Sequence, residues 1–444
     1  MTTEKYLTAD KAAQTIKEFG KEFLVVRNPD YIHPPVELYP MAPALTSFNG
    51  ELPKAVAMDM DGTTTTTETL CIHSLETMVR RITGQTDPSD WSGLDPETDY
   101  PHIIGNSTTR HVEYLIETYG DRIQHETFAV SLIRAAAWTI TLGRDEQRKI
   151  EVISTLRALG WADLCDEESF LSMVGLSGQF NSKSLSVLTE KYLPLLRAED
   201  FSSRVRAAID IYYYRYHEIL SMLANGRGQR ISEELLDGKP LIEPMPGVVE
   251  FLLLVKGELG ENAEVLVERL EGYPNAGFGS ENREEKKKTL QRLGKAFAEH
   301  PLKVAVVTSS IRYEADIVLN EVFAILRKQA AELIDSQQAE KIFSSPRNFY
   351  DAFITASDSS EMRLKPHRDL YSIALHAMGI MPEDFSRVIG FEDSESGTQA
   401  IRAAGIGLCA AVPFSDTTGH DLRAASHILD GGLPQAIIDK MLFV

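Results

Sequence analysis

Lys54-Ala55-Val56-Ala57-Met58-Asp59-Met60-Asp61-Gly62-Thr63 runs from a short apolar segment into two carboxylates and a glycine. Ala55 to Met58 are continuously apolar rather than alternating, which fits a strand of a parallel sheet covered on both faces. Asp59 then falls at the strand's C-terminal tip, where open α/β sheets bind their ligands. Asp61 follows closely, and Gly62 lets the backbone turn sharply before Thr63. Two carboxylates this close repel each other unless a cation or a shared proton relieves them. The same residues also read as a turn or helix N-terminus rich in Asp and Thr, so this stretch assigns no chemistry alone.

Three further segments narrow the choice. Pro301 to Ser310 reads as a second apolar strand, ending in Thr308, Ser309 and Ser310. Lys365-Pro366 follows the apolar segment Phe349 to Ala356 and the loop Ser357 to Leu364. Val388 to Gly397 reads as a strand that ends in Glu392-Asp393 and closes on a glycine. Hydroxyls at strand ends are common turn formers, and most lysines are solvated, so each segment is weak by itself. In this order they resemble the motifs of the haloacid dehalogenase-like (HAD) superfamily. Within it they look like the branch of beta-phosphoglucomutase and its phosphatase relatives, whose last motif also reads Glu-Asp-Ser-x-x-Gly. The resemblance covers about Lys54 to Thr69 and Ile242 to Val412.

The second half alternates strands and helices, as a parallel α/β sheet requires: strands at Val304 to Val307, Phe353 to Thr355, Arg387 to Phe391 and Gly407 to Val412. From about Leu70 to Gly238 the spacing of apolar residues is mostly helical, at Arg110 to Tyr119, Phe128 to Thr141, Glu146 to Leu159, Lys183 to Arg197 and Arg204 to Leu223. Gln85 to Pro101 reads as a loop. The resemblance makes residues 54–69 and 239–444 a Rossmann-like, doubly wound α/β core. It makes residues 70–238 a large helical cap inserted after the first catalytic strand. Residues 1–53 form an N-terminal extension, with a helix at Ala9 to Phe23 and a proline-marked irregular connection after it. Its expected role is to pack on the core or cover a sheet edge. Residues 263–300 and 328–348 read as further insertions, the first of them charged and helical.

The 444 residues carry a formal net charge of −20, which argues against unspecific binding to nucleic acid or an anionic membrane. No apolar stretch is long enough to span a bilayer, and the N-terminus lacks the apolar core of a secretion signal. Cys71, Cys165 and Cys409 have neither metal-ligand spacing nor a disulfide framework. These features lead to the expectation of a cytoplasmic protein; its oligomeric state is not legible.

The resemblance implies that Asp59 is a nucleophile forming an aspartyl phosphate, with Asp61 as general acid and base. It implies that Thr308 hydrogen-bonds the transferring phosphoryl group, that Ser309 contributes its main-chain N–H, and that Lys365 balances the phosphoryl charge together with Asp59. A Mg²⁺ ion would be held by the Asp59 side chain, the Asp61 carbonyl and Asp393, with Glu392 binding directly or through water. Dehalogenases of the superfamily lack the second aspartate, so Asp61 points to phosphoryl transfer. A mutase of the beta-phosphoglucomutase type has a threonine and a histidine soon after the aspartates. Here Thr67 takes the first place, Cys71 the second, and His73 stands two residues late. A phosphonate hydrolase would need a lysine near the aspartates, and Glu68, Thr69, Leu70 and Cys71 provide none. The expectation is a Mg²⁺-dependent phosphatase of a small phosphorylated metabolite. The alternatives are a phosphomutase and a non-catalytic binding protein on the same scaffold. Arg80, Arg81, Arg110, His111 and Lys183 are candidate contacts for an anionic leaving group within the helical segment, though each by itself reads more readily as a solvated face residue. Arg312 reads as a substrate contact or a solvated side chain.

Overall fold

The computed structural model describes residues 7–28, 33–87, 89–104, 107–175, 178–228, 231–233, 240–273, 282–360, 363–413 and 420–443. The chain separates into two compact units, Met1–Thr66 with Glu243–Val444, and Thr67–Ile242.

The first unit is a Rossmann-like α/β structure. Its strands are β1 (Phe23–Arg27), β2 (Val36–Pro40), β3 (Ala55–Asp59), β4 (Lys303–Val307), β5 (Ala352–Ile354), β6 (Val388–Glu392), β7 (Leu408–Ala411) and β8 (His427–Ile428). Strands β3 to β8 make one six-stranded sheet in the order β5-β4-β3-β6-β7-β8. Every pairing in it is parallel. The chain steps from β3 through β4 to β5 and then crosses to β6 on the other side of β3, so β3 stands at the topological switch point. Asp59 pairs with Val307, and Met58 with both Val306 and Phe391. That register brings Asp59, Thr308 and Glu392-Asp393 to one edge of the sheet.

Central strands β3 and β6 are buried at every residue, which explains their unbroken apolar pattern. On one face, Ala55, Ala57, Ala305 and Val307 pack with Leu370, Tyr371, Ala374 and Ile401 from helices Asp369–Ala377 and Glu395–Ala403. On the other, Phe251 of helix Val248–Val255 meets Phe391 edge-on at 5.1 Å. Gly390 lets Ile401 close onto the sheet, since a Cβ there would lie 2.5 Å from Ile401 Cγ2. The strand bounds move by a residue from those expected, and β8 was not foreseen; at two residues it is too short for a pattern.

The N-terminal segment departs from the sequence reading. Its helix spans Ala9–Phe19 and stops at Gly20, and Phe23 begins β1 instead of ending the helix. β1 and β2 form an antiparallel ribbon where an irregular connection was expected. Leu24 and Val26 point inward while Val25 is exposed, a period of two that the longer helix reading obscured. Proline is tolerated because Pro40 closes a strand of a two-stranded ribbon. The ribbon packs Leu24, Val26 and Tyr39 on Ala403. Buried Arg402 ties it down, donating to Ala42 O at 2.6 Å and to Glu22 Oε2 at 2.6 Å.

Of the two core insertions, residues 263–300 include helices Leu266–Glu271 and Arg283–Glu299, and 274–281 lie outside the described residues. Residues 328–348 continue helix Arg312–Ala330 and add helices Ser336–Ile342 and Pro346–Phe349. They contribute packing: Phe343 and Phe349 stack at 5.3 Å, and both meet Phe323 at 5.6 Å.

The second unit is helical. Its longer helices are Glu68–Thr83, Thr108–Tyr119, His125–Leu142, Glu146–Ala158, Ser182–Tyr192 and Phe201–Ala224. Asp145, Asn181 and Asp200 cap three of them by accepting main-chain N–H groups of the first turn. The stretch expected as one helix to Arg197 stops at Tyr192 and tightens into a 3₁₀ turn at Leu193–Leu195, where Pro194 sits. Arg148 and the fully buried Asp210 form an ion pair between helices Glu146–Ala158 and Phe201–Ala224. Among the described residues no helix is long and apolar enough to cross a membrane, and none of the three cysteines is in a disulfide.

Candidate active site

Asp59 ends β3 and is buried. Immediately after it the backbone folds back: Thr64 N and Thr65 N both donate to Met60 O, at 2.9 and 2.8 Å. Thr64 Oγ1 donates to Asp59 O at 2.5 Å. Gly62, at φ +78°, makes this turn possible and clears space for a carboxylate, since a Cβ there would lie 2.4 Å from Asp393 Oδ2. Thr63 Oγ1 is buried and has no hydrogen-bond partner.

Strand β6 delivers the other acids. Asp59, Glu392 and Asp393 are all buried and offer ligand oxygens within 4.8 Å of one another. Glu392 is engaged on both oxygens. Its Oε1 accepts from Lys365 Nζ at 2.6 Å and from Tyr371 OH at 3.0 Å. Its Oε2 accepts from Ser394 Oγ at 2.9 Å and from Asp393 N at 3.2 Å. Ser394 also caps helix Glu395–Ala403. Gly397 must be glycine here, because a Cβ would fall 1.8 Å from the Glu392 carboxyl carbon.

Lys365 closes the group. Its ammonium bonds Asp59 Oδ1 as well as Glu392, and donates to Val307 O at 3.2 Å, with its side chain only 6% exposed. Burial works against its charge, but Asp59 and Glu392 outweigh that and hold Lys365 above the ordinary lysine range. Asp59 is also raised, well above the usual carboxylate range, first by burial and then by the nearby Glu392 charge; Lys365 offsets only part of this. The site therefore holds more buried negative charge than its lysine neutralises.

Asp61 is half-buried, and its Oδ2 accepts from Thr308 Oγ1 at 3.0 Å and from Ser310 Oγ at 3.1 Å. Ser310 N in turn donates to Thr308 Oγ1 at 2.9 Å. Ser309 lies between them and is exposed. Asp59, Asp61, Thr308, Ser309, Lys365, Glu392 and Asp393 thus gather at the C-terminal edge of β3, β4 and β6, whereas Arg80, Arg81, Arg110, His111 and Lys183 belong to the helical unit. Two that were not assigned a role join the first group. Ser310 was visible among the hydroxyls after β4, but Tyr371 sits inside an apolar helix with no local signal. Arg312 pairs with Asp358 at 2.5 Å and lies over the Phe353 ring, a structural contact.

Behind Lys365 the N-terminal ribbon reaches the same loop. Arg363 donates to Glu37 Oε2 at 3.1 Å and to Tyr39 OH at 3.0 Å. Tyr39 OH also lies 3.2 Å from His367 Nδ1. Glu37 is held down at about 2 by the Tyr39 hydroxyl and the Asn28 amide. Two residues of this loop, 361 and 362, lie outside the described residues.

The donor set suits a hard cation such as Mg²⁺: carboxylates in surplus, at the edge of a sheet, with glycine keeping the adjoining space open. Compared with known proteins, the chain matches no family model and no curated protein. Among solved structures it is similar to CbbY from Rhodobacter sphaeroides in complex with phosphate, at 14% identity and a TM-score of 0.41, over 87% of this chain and 96% of that one. A HAD family hydrolase from Deinococcus radiodurans R1 matches at 14% identity and TM-score 0.36, over 89% and 99% of the two chains. Beta-phosphoglucomutase from Clostridium difficile matches at 11% identity and TM-score 0.34, over 85% and 91%.

Proposed function

We propose that this protein is a Mg²⁺-dependent phosphatase acting on a small phosphorylated metabolite through an aspartyl phosphate on Asp59. One observation carries the reading. Asp59, Glu392 and Asp393 share a buried site with Lys365, while Asp61 is held beside it by Thr308 and Ser310. A nucleophile and a separate acid/base, both carboxylates at strand tips, are what stepwise phosphoryl transfer needs.

A carboxylate oxygen of Asp59 attacks phosphorus, and the new O–P bond forms as the ester P–O bond breaks. Asp61 gives its proton to the departing oxygen. It then takes a proton from the water that attacks the same phosphorus, which releases inorganic phosphate and restores Asp59. Lys365 holds the Asp59 carboxylate in place and balances the phosphoryl charge, and Glu392 fixes Lys365 from behind with help from Tyr371. Thr308 and Ser310 orient Asp61. A divalent cation on Asp59, Asp393 and the Asp61 carbonyl, with Glu392 directly or through water, would lower the repulsion between anionic nucleophile and anionic ester. The helical unit would serve as a cap that excludes water. A small phosphorylated substrate and a cytoplasmic location complete the reading, with no nucleic-acid or membrane partner, this last supported by the net charge of −20.

The test is phosphate release from a panel of phosphorylated sugars, nucleotides and acids, with and without Mg²⁺, beside Asp59→Asn. Metal-dependent release that vanishes in the variant is the expected result. No release from any member, with an isomerised sugar phosphate formed instead, would replace the phosphatase with a mutase.

A further inference from the structure

Of Asp59, Glu392 and Lys365, only Lys365 stands on a turn rather than at a strand tip. The sheet register places the two carboxylates, but a loop does not fix a side chain that closely without support. His367 N donates to Leu364 O at 2.9 Å, so Lys365 and Pro366 are the central residues of a tight turn. The residues two positions before and two after Lys365, Arg363 and His367, meet at a single atom. Arg363 Nη1 donates to Tyr39 OH at 3.0 Å, and His367 Nδ1 lies 3.2 Å from the same oxygen. Arg363 also forks onto Asp369, at 2.8 and 3.0 Å, where helix Asp369–Ala377 begins.

That oxygen comes from the N-terminal ribbon. Its own proton goes to Glu37 Oε2, which leaves its lone pairs for Arg363 and for a proton on His367 Nδ1. Burial and then Arg363 lower His367, so the ring is neutral at pH 7 and carries that one proton. Glu37 is braced in turn by Asn28 Nδ2, which donates to its Oε1 at 3.0 Å. Glu37 and Tyr39 flank the exposed Leu38 on β2, so both point to the inner face of the ribbon. The ribbon does not need this hydroxyl to stay on the core. Leu24 and Val26 pack on Ala403, and Arg402 holds Ala42 and Glu22. Phenylalanine would pack as well as Tyr39; what its oxygen adds is a grip on both flanks of Lys365.

We propose that the N-terminal ribbon positions Lys365: the Tyr39 hydroxyl, bonded to Arg363 and His367, holds the Leu364–His367 turn so that the ammonium stays on Asp59 and Glu392. Tyr39, Arg363 and His367 are positioning residues, acting through the turn and through Lys365. Without the hydroxyl the ammonium spends more of its time off the two carboxylates. Turnover then suffers more than substrate affinity, because the group that balances the phosphoryl charge is less often in place. This catalytic consequence rests on the reading of Asp59 as the nucleophile; the hold on Lys365 does not.

The experiment compares full-length parent with Tyr39→Phe, which keeps the ring edge-on to His367 and removes only the oxygen. With Mg²⁺ and a phosphorylated compound that the parent hydrolyses, kcat should fall about tenfold or more while KM stays within about twofold. Unchanged kcat in an active parent overturns the proposal. A second measurement needs no activity. In protein carrying isotope-labelled lysine, without metal, the Lys365 Nζ resonance is assigned by its loss in Lys365→Arg. It should stand apart from the solvated lysines in the parent and move toward them in Tyr39→Phe. A hydroxyl that only fastened the ribbon would lower the melting point and leave that resonance in place, which overturns the proposal. If Tyr39→Phe does not fold, His367→Leu takes its place and should show the same shift. His367→Asn, whose amide N–H can reach the hydroxyl, should restore the parent resonance, and equal spectra of these two variants overturn the proposal. A parent that releases no phosphate from any compound ends the catalytic reading, and the resonance then decides the positioning by itself.

Discussion

At the C-terminal edge of the sheet, three buried carboxylates face one lysine; in the helical unit, Arg81 leaves Nη1 buried without a hydrogen-bond partner while Arg215 is paired with Glu218. The two regions are built differently. The acidic one hangs on strand tips and on main-chain N–H groups such as those of Asp393 and Ser394, which the backbone places whatever the side chains do. The basic one hangs on long side chains, with Arg81 stacked over the Tyr214 ring. The first is therefore rigid and sensitive to single atoms. The second tolerates change.

The largest effect expected is on turnover. Asp59→Asn removes the nucleophile and should lower phosphate release by about four orders of magnitude or more. In metal-free buffer the same variant should melt higher than the parent, because it takes one charge out of a buried surplus. A lower melting point would mean that the Lys365 contact, not repulsion among the carboxylates, dominates the site.

Lys365→Met is the reverse operation. It leaves Asp59 and Glu392 buried without their ammonium, at a cost of about 3–5 kcal/mol in unfolding free energy. Denaturation with and without Mg²⁺ checks this: added cation should recover part of the loss. Equal stability of variant and parent would show that the two acids pass their charge to protons and need no counter-ion.

The acidic cluster was legible because it is written in short contiguous runs. A strand tip fixes where Asp59 points, and the parallel register then puts Thr308 and Glu392-Asp393 beside it without further information. Lys365 was legible only through its order in the chain and the proline after it. Tyr371 was not, since a tyrosine on an apolar helix face looks like core until Glu392 is seen to accept its hydroxyl. The arginines have no run at all. Arg81 and Arg215 lie on different helices, and helical periodicity says which face they share with neighbours, not which residues of another helix they meet. The β1–β2 ribbon was lost for a third reason: Gly20 ends a helix whose apolar pattern merges into that of the strand.

Gly62→Ala separates geometry from charge at the acidic site. It changes no charge, yet it places a methyl 2.4 Å from Asp393 Oδ2 at a residue with φ +78°. The backbone cost is about 1–2 kcal/mol. Asp393 must also move, so the Mg²⁺ concentration giving half-maximal activity should rise while the unfolding free energy falls only by that modest amount. An unchanged Mg²⁺ response would remove Asp393 from the ligand set.

His73→Asn makes the smallest change, on the basic side. His73 is lowered from its ordinary 6.5 to about 4, first by burial and then by Arg215, Arg81 and Arg80. The sign follows from which state binds the proton. Below pH 6.5 the unfolded chain takes up a proton that the folded one refuses, so folding stability attributable to His73 falls as pH drops from 6.5 to 4 and levels off below that. Glu218, already paired with Arg215, does not shield the ring from the other arginines. Asn cannot titrate, so the parent and His73→Asn should diverge across this window and run parallel above it, in denaturation curves collected at a series of pH values. Curves that stay parallel through this window would mean that His73 takes up its proton equally in the folded and unfolded chain.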